Sequence, residues 1–156
     1  MSRTIRLYKL PEEPQIRGLR PMSYKDIPEV AELLNNYLSK FSLWMDFSHK
    51  EVEHFFLPQD DVIYTYVVVD PDTGSVTDLC SFYSLSSSIL KHPKHTKLKA
   101  AYSFYNVPGA HTLKELFNDL LILAKHHDFD VFNALDAMEN PTIFKDLRFG
   151  IGDGNL

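Results

Sequence analysis

Residues 148–154, Arg-Phe-Gly-Ile-Gly-Asp-Gly, place three glycines at alternate positions, Gly150, Gly152 and Gly154, around a single acid, Asp153. Alternating glycines permit positive φ and let a backbone come close to another group, so the loop is built for approach rather than packing. By itself, an acid in such a glycine-rich loop is ordinarily a turn residue. Upstream, Phe129, Val131 and Leu135 alternate with Asp130 and Ala134, and Asn133 falls on the apolar side of that alternation. A buried amide needs partners, so Asn133 is either a structural hydrogen-bonder or a group aimed at a ligand. Glu51 and His54 have the Glu-x-x-His spacing of a di-iron ligand pair, but that scaffold needs a second copy and the sequence has none. His126 and His127 end a helical stretch, where imidazoles complement the helix dipole. His92 and His95 share a basic loop with Lys91, Lys94, Lys97 and Lys99, without the interleaved aromatics of a nucleic-acid platform; it reads as solvated surface. No phosphate loop, zinc spacing or Ser-His-Asp order stands out.

The elements that position these groups follow from periodicity. Residues 1–14 read as an extended, proline-bearing lead-in, and residues 19–22 as a short strand. Ser23 or Asp26 caps a helix with Pro28 in its first turn, where amides lack intrahelical acceptors. Ile27, Val30, Ala31, Leu34, Tyr37, Leu38 and Phe41 make its apolar stripe. Ser48 with Glu51 forms a capping box for a second helix that Pro58 closes, with Val52, Phe55 and Phe56 inward. Residues 62–69 and 76–85 are strands joined by an Asp-Pro-Asp-Thr-Gly turn. Residues 86–97 read as a loop and 98–107 as a third long strand. Thr112 with Glu115 caps the strongest helix, whose apolar face is Leu113, Leu116, Phe117, Leu120, Leu121 and Ala124. Strand 129–135 comes next, and Asn140-Pro141 then reads as N-cap and first residue of a helix through Leu147. Helices interleaved with mostly antiparallel strands predict an α/β fold with a mixed sheet.

The 156 residues suit one domain with a real core. Apolar residues make up 44% and charged ones 24%, as in ordinary globular proteins. A net charge of −5 argues against nucleic-acid binding. The single cysteine, Cys80, lies in a strand and reads as a small buried apolar residue; together with the absence of any signal-peptide or membrane-span pattern, this predicts a reducing, cytoplasmic setting.

The Arg-Phe-Gly-Ile-Gly-Asp-Gly run resembles the glycine-rich signature of the glycylpeptide N-tetradecanoyltransferases, or protein N-myristoyltransferases, which usually have lysine where this chain has Arg148. Residues 129–136, Phe-Asp-Val-Phe-Asn-Ala-Leu-Asp, and residues 99–107, Lys-Ala-Ala-Tyr-Ser-Phe-Tyr-Asn-Val, resemble the same family in the same order. The resemblance runs from about Thr4 to Leu156 and covers only the C-terminal part of the family's enzyme. Ser86 departs from it, standing where the family usually has proline, as does the stretch Pro108-Gly109-Ala110-His111.

The resemblance implies a GNAT-like acyltransferase fold, incomplete at its C-terminal strand, with residues 1–18 as lead-in and 19–156 as a truncated peptide-binding domain. It also implies a sheet edge left unprotected after the strand 129–135. The implied reaction transfers myristate from myristoyl-CoA, a co-substrate, to the N-terminal glycine of proteins. In the family the proton acceptor is the enzyme's own terminal carboxylate and the oxyanion donors lie in the N-terminal half. Neither is carried by these residues, so no catalytic residue is assigned, no metal is implied, and the isolated chain is expected to be inactive. Implied peptide contacts are Ser87 and Tyr102, with Asn133 near the acceptor glycine, and Asp153 and Gly154 in the loop lining the pocket. Glycine-starting peptides and the missing N-terminal half of the enzyme are the implied partners. A non-catalytic peptide- or partner-binding module on the same fold, or a fragment of a longer chain, are the alternatives.

Overall fold

The computed structural model describes residues 3–90 and 93–152. Among the described residues, seven strands and five α-helices follow in order: α1 (Arg3–Leu7), β1 (Leu19–Pro21), α2 (Ile27–Leu38), α3 (His49–Phe56), β2 (Ile63–Val69), β3 (Val76–Ser84), β4 (Ser87–Ser88), β5 (Lys97–Leu98), β6 (Ala100–Ser103), α4 (Leu113–His126), β7 (Val131–Asn133) and α5 (Pro141–Phe144). The main sheet has the order β1-β2-β3-β6-β7, antiparallel except for the β6–β7 pair. Two-residue strands β4 and β5 extend the β3–β6 ladder as a separate ribbon.

Both capping boxes form as the sequence predicts. Ser48 and Glu51 exchange side-chain and backbone bonds at the start of α3, and Thr112 and Glu115 do so at α4. The α2 stripe buries Ile27, Val30, Ala31, Leu34 and Leu38, with Tyr37 and Phe41 packed at its margin. Helices α2 and α3 cover one sheet face over Val67, Leu79 and Val107. Helix α4 covers the other through Leu116, Leu120 and Ala124 against Tyr66, Cys80, Phe82 and Ala101. Cys80 is fully buried, and burial pushes its thiol far above the usual range.

Several expectations are corrected. The lead-in is not extended throughout: residues 3–7 turn into a short helix, closed by Tyr8 N–H donating to Thr4. It is stitched down afterwards, because the amides of Gln15 and Ile16 donate at 2.7–2.9 Å to the buried Asp119 of α4. The strand expected over 98–107 stops at Ser103. The register gains one residue between the Phe82–Ser103 pair and the Leu79–Val107 bridge, which makes a bulge. Side chains take over the ladder there: Asn106 Oδ1 accepts from Ser81 N–H, and Ser81 Oγ donates to Tyr105 O. The expected loop 86–97 contains β4 and part of β5. Asn140 holds the N-cap position of α5 with Pro141 as its first residue, as expected, but its side-chain amide donates to Leu135 O at 3.0 Å rather than capping, and regular helix ends at Phe144.

The phase of β7 is also inverted. Phe132 and Ala134 face the core, while Val131 and Leu135 are exposed. Phe132 sits among Phe82, Phe117 and Phe149, while Phe129 lies ahead of the strand and packs on Tyr64 and Phe82. This strand is the sheet's edge; among the described residues it pairs on one side only, as expected.

Candidate functional site

The inverted phase puts Asn133 on the same side of the sheet as Tyr102, which it faces in the β6–β7 register. Tyr102 faces Tyr83 in the β3–β6 register, and their rings stack at 5.4 Å and 17°. Tyr83, Tyr102 and Asn133 therefore form a row across three strands, all three half-buried. Helices α2 and α3 cover the β1–β2–β3 half of this face and leave the row partly open. Among the described residues, Asn133's side chain forms no hydrogen bond, so its donors and acceptor stay available.

Asn133 also borders a cleft of about 780 Å³ along the β7 edge. Its other walls are residues 7–11, the α4 side chains Lys114 and Asn118, and the turn from Asp146 to Gly152. Gly150 and Gly152 thus line the same cleft as Asn133. Arg148 enters that turn at φ +60°, in the left-handed region, and Phe149 N–H donates back to Phe144 O at 2.9 Å. Lys114 and Asp146 span the wall with a 2.7 Å ion pair, and that hydrogen bond holds Asp146 below the usual carboxylate range.

The turn behind β7 is held by groups that the sequence reading missed. Tyr37 of α2 donates to Glu139 at 2.7 Å and Lys40 reaches the same oxygen at 2.8 Å. Lys40 and then Tyr37 lower the Glu139 carboxyl, while burial and Glu139 push the Tyr37 phenol well up. With the Asn140–Leu135 bond, this fixes the chain leaving Asn133. The contacts span about a hundred residues, so no local pattern announces them.

Of the predicted contacts, Tyr102 and Asn133 are brought together. Ser87 is exposed on the β4–β5 ribbon, paired with Leu98 and four residues beyond Tyr83, a reach of about 13 Å along the same ladder. Asp153 and Gly154 lie outside the described residues. Glu51 is committed to its cap: Ser48 Oγ and N–H donate to it at 2.6 and 2.8 Å. His127 stands at the C-cap of α4, as expected, with its ring engaged. Its Nε2 lies 2.8 Å from Tyr66 Oη, and burial followed by nearby Lys99 lowers its pKa. Burial likewise lifts the Tyr66 phenol to about 12. The arrangement offers stacked rings, a phenol and a free amide beside a glycine turn, which is chemistry for holding a peptide backbone.

The family model described as Myristoyl-CoA:protein N-myristoyltransferase, C-terminal domain, matches residues 1–156. Glycylpeptide N-tetradecanoyltransferase 1 of Arabidopsis thaliana is 53% identical over 156 residues, covering 100% of this chain and 36% of that protein. The crystal structure of Saccharomyces cerevisiae N-myristoyltransferase with bound myristoyl-CoA superposes with a TM-score of 0.90 at 37% identity, over 97% of this chain and 39% of that one. The chain thus spans little more than a third of the length of these relatives. Arabidopsis glucosamine-6-phosphate N-acetyltransferase shares the fold alone, with a TM-score of 0.63 at 12% identity over 88% of this chain and 94% of its own.

Proposed function

Because this chain belongs to the N-myristoyltransferase family and carries its C-terminal domain, we propose that it forms the acceptor-binding part of an enzyme that moves myristate from myristoyl-CoA to an N-terminal glycine. The observation that carries this reading is the half-buried row Tyr83–Tyr102–Asn133, partly open on its face, whose end residue Asn133 borders the cleft that the glycine turn also lines. Glycine has no side chain, so its backbone can settle against stacked rings and a strand edge. The amide of Asn133 can donate to a peptide carbonyl and accept from a peptide N–H. Tyr102 and Ser87 would hold residues further along the peptide, and Asp153 and Gly154 would close the glycine end.

Acyl transfer to an amine needs the amine neutral, the oxyanion stabilised and the two reactants in contact. An N-terminal ammonium has a pKa near 8, so at pH 7 most acceptor is protonated and needs a base. The row supplies contact and orientation. We assign the base, the oxyanion donors and the myristoyl-CoA site to parts of the family enzyme outside these 156 residues, and the purified chain alone as inactive. A cytoplasmic setting suits the fully buried free thiol of Cys80; among the described residues no helix is long and apolar enough to cross a membrane.

A second reading, a peptide-binding module without catalysis, is favoured by the core itself. Apolar side chains pack on both faces of the sheet, and the fold likeness spans 94% of a separate acetyltransferase chain. A C-terminally labelled glycine-starting peptide, titrated into the purified chain with and without myristoyl-CoA, tests both. Anisotropy should report saturable binding that Asn133→Ala weakens at least tenfold, with no acylated product. Product formed by the chain alone would overturn the assignment of the chemistry elsewhere; absence of binding would overturn both readings.

A further inference from the structure

The connection between α2 and α3 carries the longest run of exposed large apolar side chains among the described residues. Leu43 is 93% exposed, Trp44 39% and Met45 51%, at consecutive positions. Phe55 of α3, whose ring meets Phe47 at 6.5 Å, is exposed as well. Single exposed apolar residues are ordinary, whereas a contiguous group calls for a partner. The base of this loop is fixed on both sides. Phe41 N–H donates to Leu38 O at 3.0 Å. Asn35 of α2 clamps Phe47, accepting from its N–H and donating to its carbonyl, both at 2.9 Å. The Phe47 ring is buried against Phe56 and Tyr105. Between these anchors, residues 42–46 make no hydrogen bond or ion pair among the described residues.

That geometry decides what can cover the tip. Three side chains on a loop fall well short of the ~800 Å² per partner that a stable protein interface buries. A dry protein partner would also strand the unpaired backbone groups of residues 42–46, at about 1–3 kcal/mol for each one left unsatisfied. The wet headgroup layer of a lipid bilayer keeps such groups hydrated while it takes in the apolar side chains. Trp44 fits that layer, because its ring is apolar and its indole N–H has no partner among the described residues. The charges around the tip balance: Lys40 is held by Glu139 at 2.8 Å, and exposed Asp46 and Lys50 offset each other in sign. No local field therefore draws in an anionic surface, and the net charge of −5 opposes one.

We propose that the Leu43-Trp44-Met45 tip seats this domain in the interfacial layer of a zwitterionic lipid surface. The contact is shallow and reversible, since three side chains bury less than one myristoyl chain, which alone binds at only about 10⁴ M⁻¹. The proposal does not depend on the peptide-binding reading, and no peptide enters its test.

Trp44 is the single tryptophan of the sequence, so its fluorescence reads the tip alone. The 156-residue chain is titrated with phosphatidylcholine vesicles and with vesicles containing phosphatidylserine. Emission should shift to the blue saturably, persist in high salt, and be weaker on the phosphatidylserine vesicles. Lipids brominated near the headgroup end of their chains should quench Trp44 more than lipids brominated at the chain ends. The double variant Leu43→Asp, Met45→Asp keeps the reporter and should lose partitioning at least tenfold at an unchanged melting temperature. An unchanged spectrum with vesicles, or association that the double variant retains, would overturn the proposal and leave the tip to the rest of the family enzyme. A blue shift that grows with protein concentration in the absence of lipid would overturn it in favour of a second copy of the chain. Association that requires phosphatidylserine and disappears in salt would overturn it as well. Should the double variant not fold, the bromine quenching of the unchanged chain decides, and deeper quenching at the chain ends counts against the proposal.

Discussion

Replacing Asp26 by asparagine should cost about 2 kcal/mol at neutral pH, and that cost should vanish in acid. Asp26 is buried at the entry to α2, where Arg20 of β1 grips it in a bidentate pair with both contacts at 2.7 Å. Ser23 adds a backbone and a hydroxyl hydrogen bond, each 2.8 Å, to one oxygen. The Arg20 hydrogen bond is the largest cause, partly opposed by burial and reinforced by Ser23, and together they bring the carboxyl from 3.8 to about 2. At about 1.4 kcal/mol per pH unit, that drop corresponds to about 2 kcal/mol of folding free energy. Because the folded pKa is depressed, the stabilisation is complete above the unfolded value of about 3.9 and is lost as pH falls through about 2. Asparagine preserves the shape and removes the charge, so it should mimic the protonated acid. Denaturant unfolding of both proteins at pH 7, 4 and 2 reads the gap directly. A gap under about 0.5 kcal/mol at pH 7, within ordinary surface-substitution range, would refute the reasoning, as would a gap unchanged at pH 2.

Thr65→Val should be neutral or stabilising by up to about 1 kcal/mol in equilibrium unfolding, because the buried hydroxyl it removes has no hydrogen-bond partner among the described residues. Arg148→Gly should stabilise by about 0.5 kcal/mol, since φ +60° suits glycine and the exposed guanidinium loses little; the melting temperature checks it. Tyr37→Phe should cost about 1.5–3 kcal/mol, the value of a hydrogen bond to a charged acceptor, and should raise amide exchange around residues 138–140 more than in α3.

What could be read from the sequence was whatever is local. The two capping boxes are spelled by residues three apart, and the stripes of α2 and α4 by helical spacing, so both emerge as expected. Resemblance in residues 99–107 and 129–136 brought Tyr102 and Asn133 forward, and the β6–β7 register makes them neighbours. The phase of β7 is not legible in its alternation, because Phe129 lies ahead of the strand and packs on Phe82 just as Phe132 does. The contacts of Phe132 with Phe117 and Phe149, distant or later in the chain, set the strand's facing. Asp78, Asp119 and Glu139 were passed over for a different reason. Their long-range donors lie 31 to 104 residues away, and nothing in a lone acid's neighbourhood announces that it will be buried and satisfied from afar.

The acceptor-binding role is tested most directly by an amide NMR titration of the purified chain with a short glycine-starting peptide and with the same peptide acetylated at its amine. The account predicts dispersed signals and saturable shifts at Tyr102, Asn133 and Gly152 with the free amine, and at least tenfold weaker binding of the acetylated peptide. Equal binding of the two peptides, or shifts that leave Tyr102 and Asn133 untouched, would contradict it.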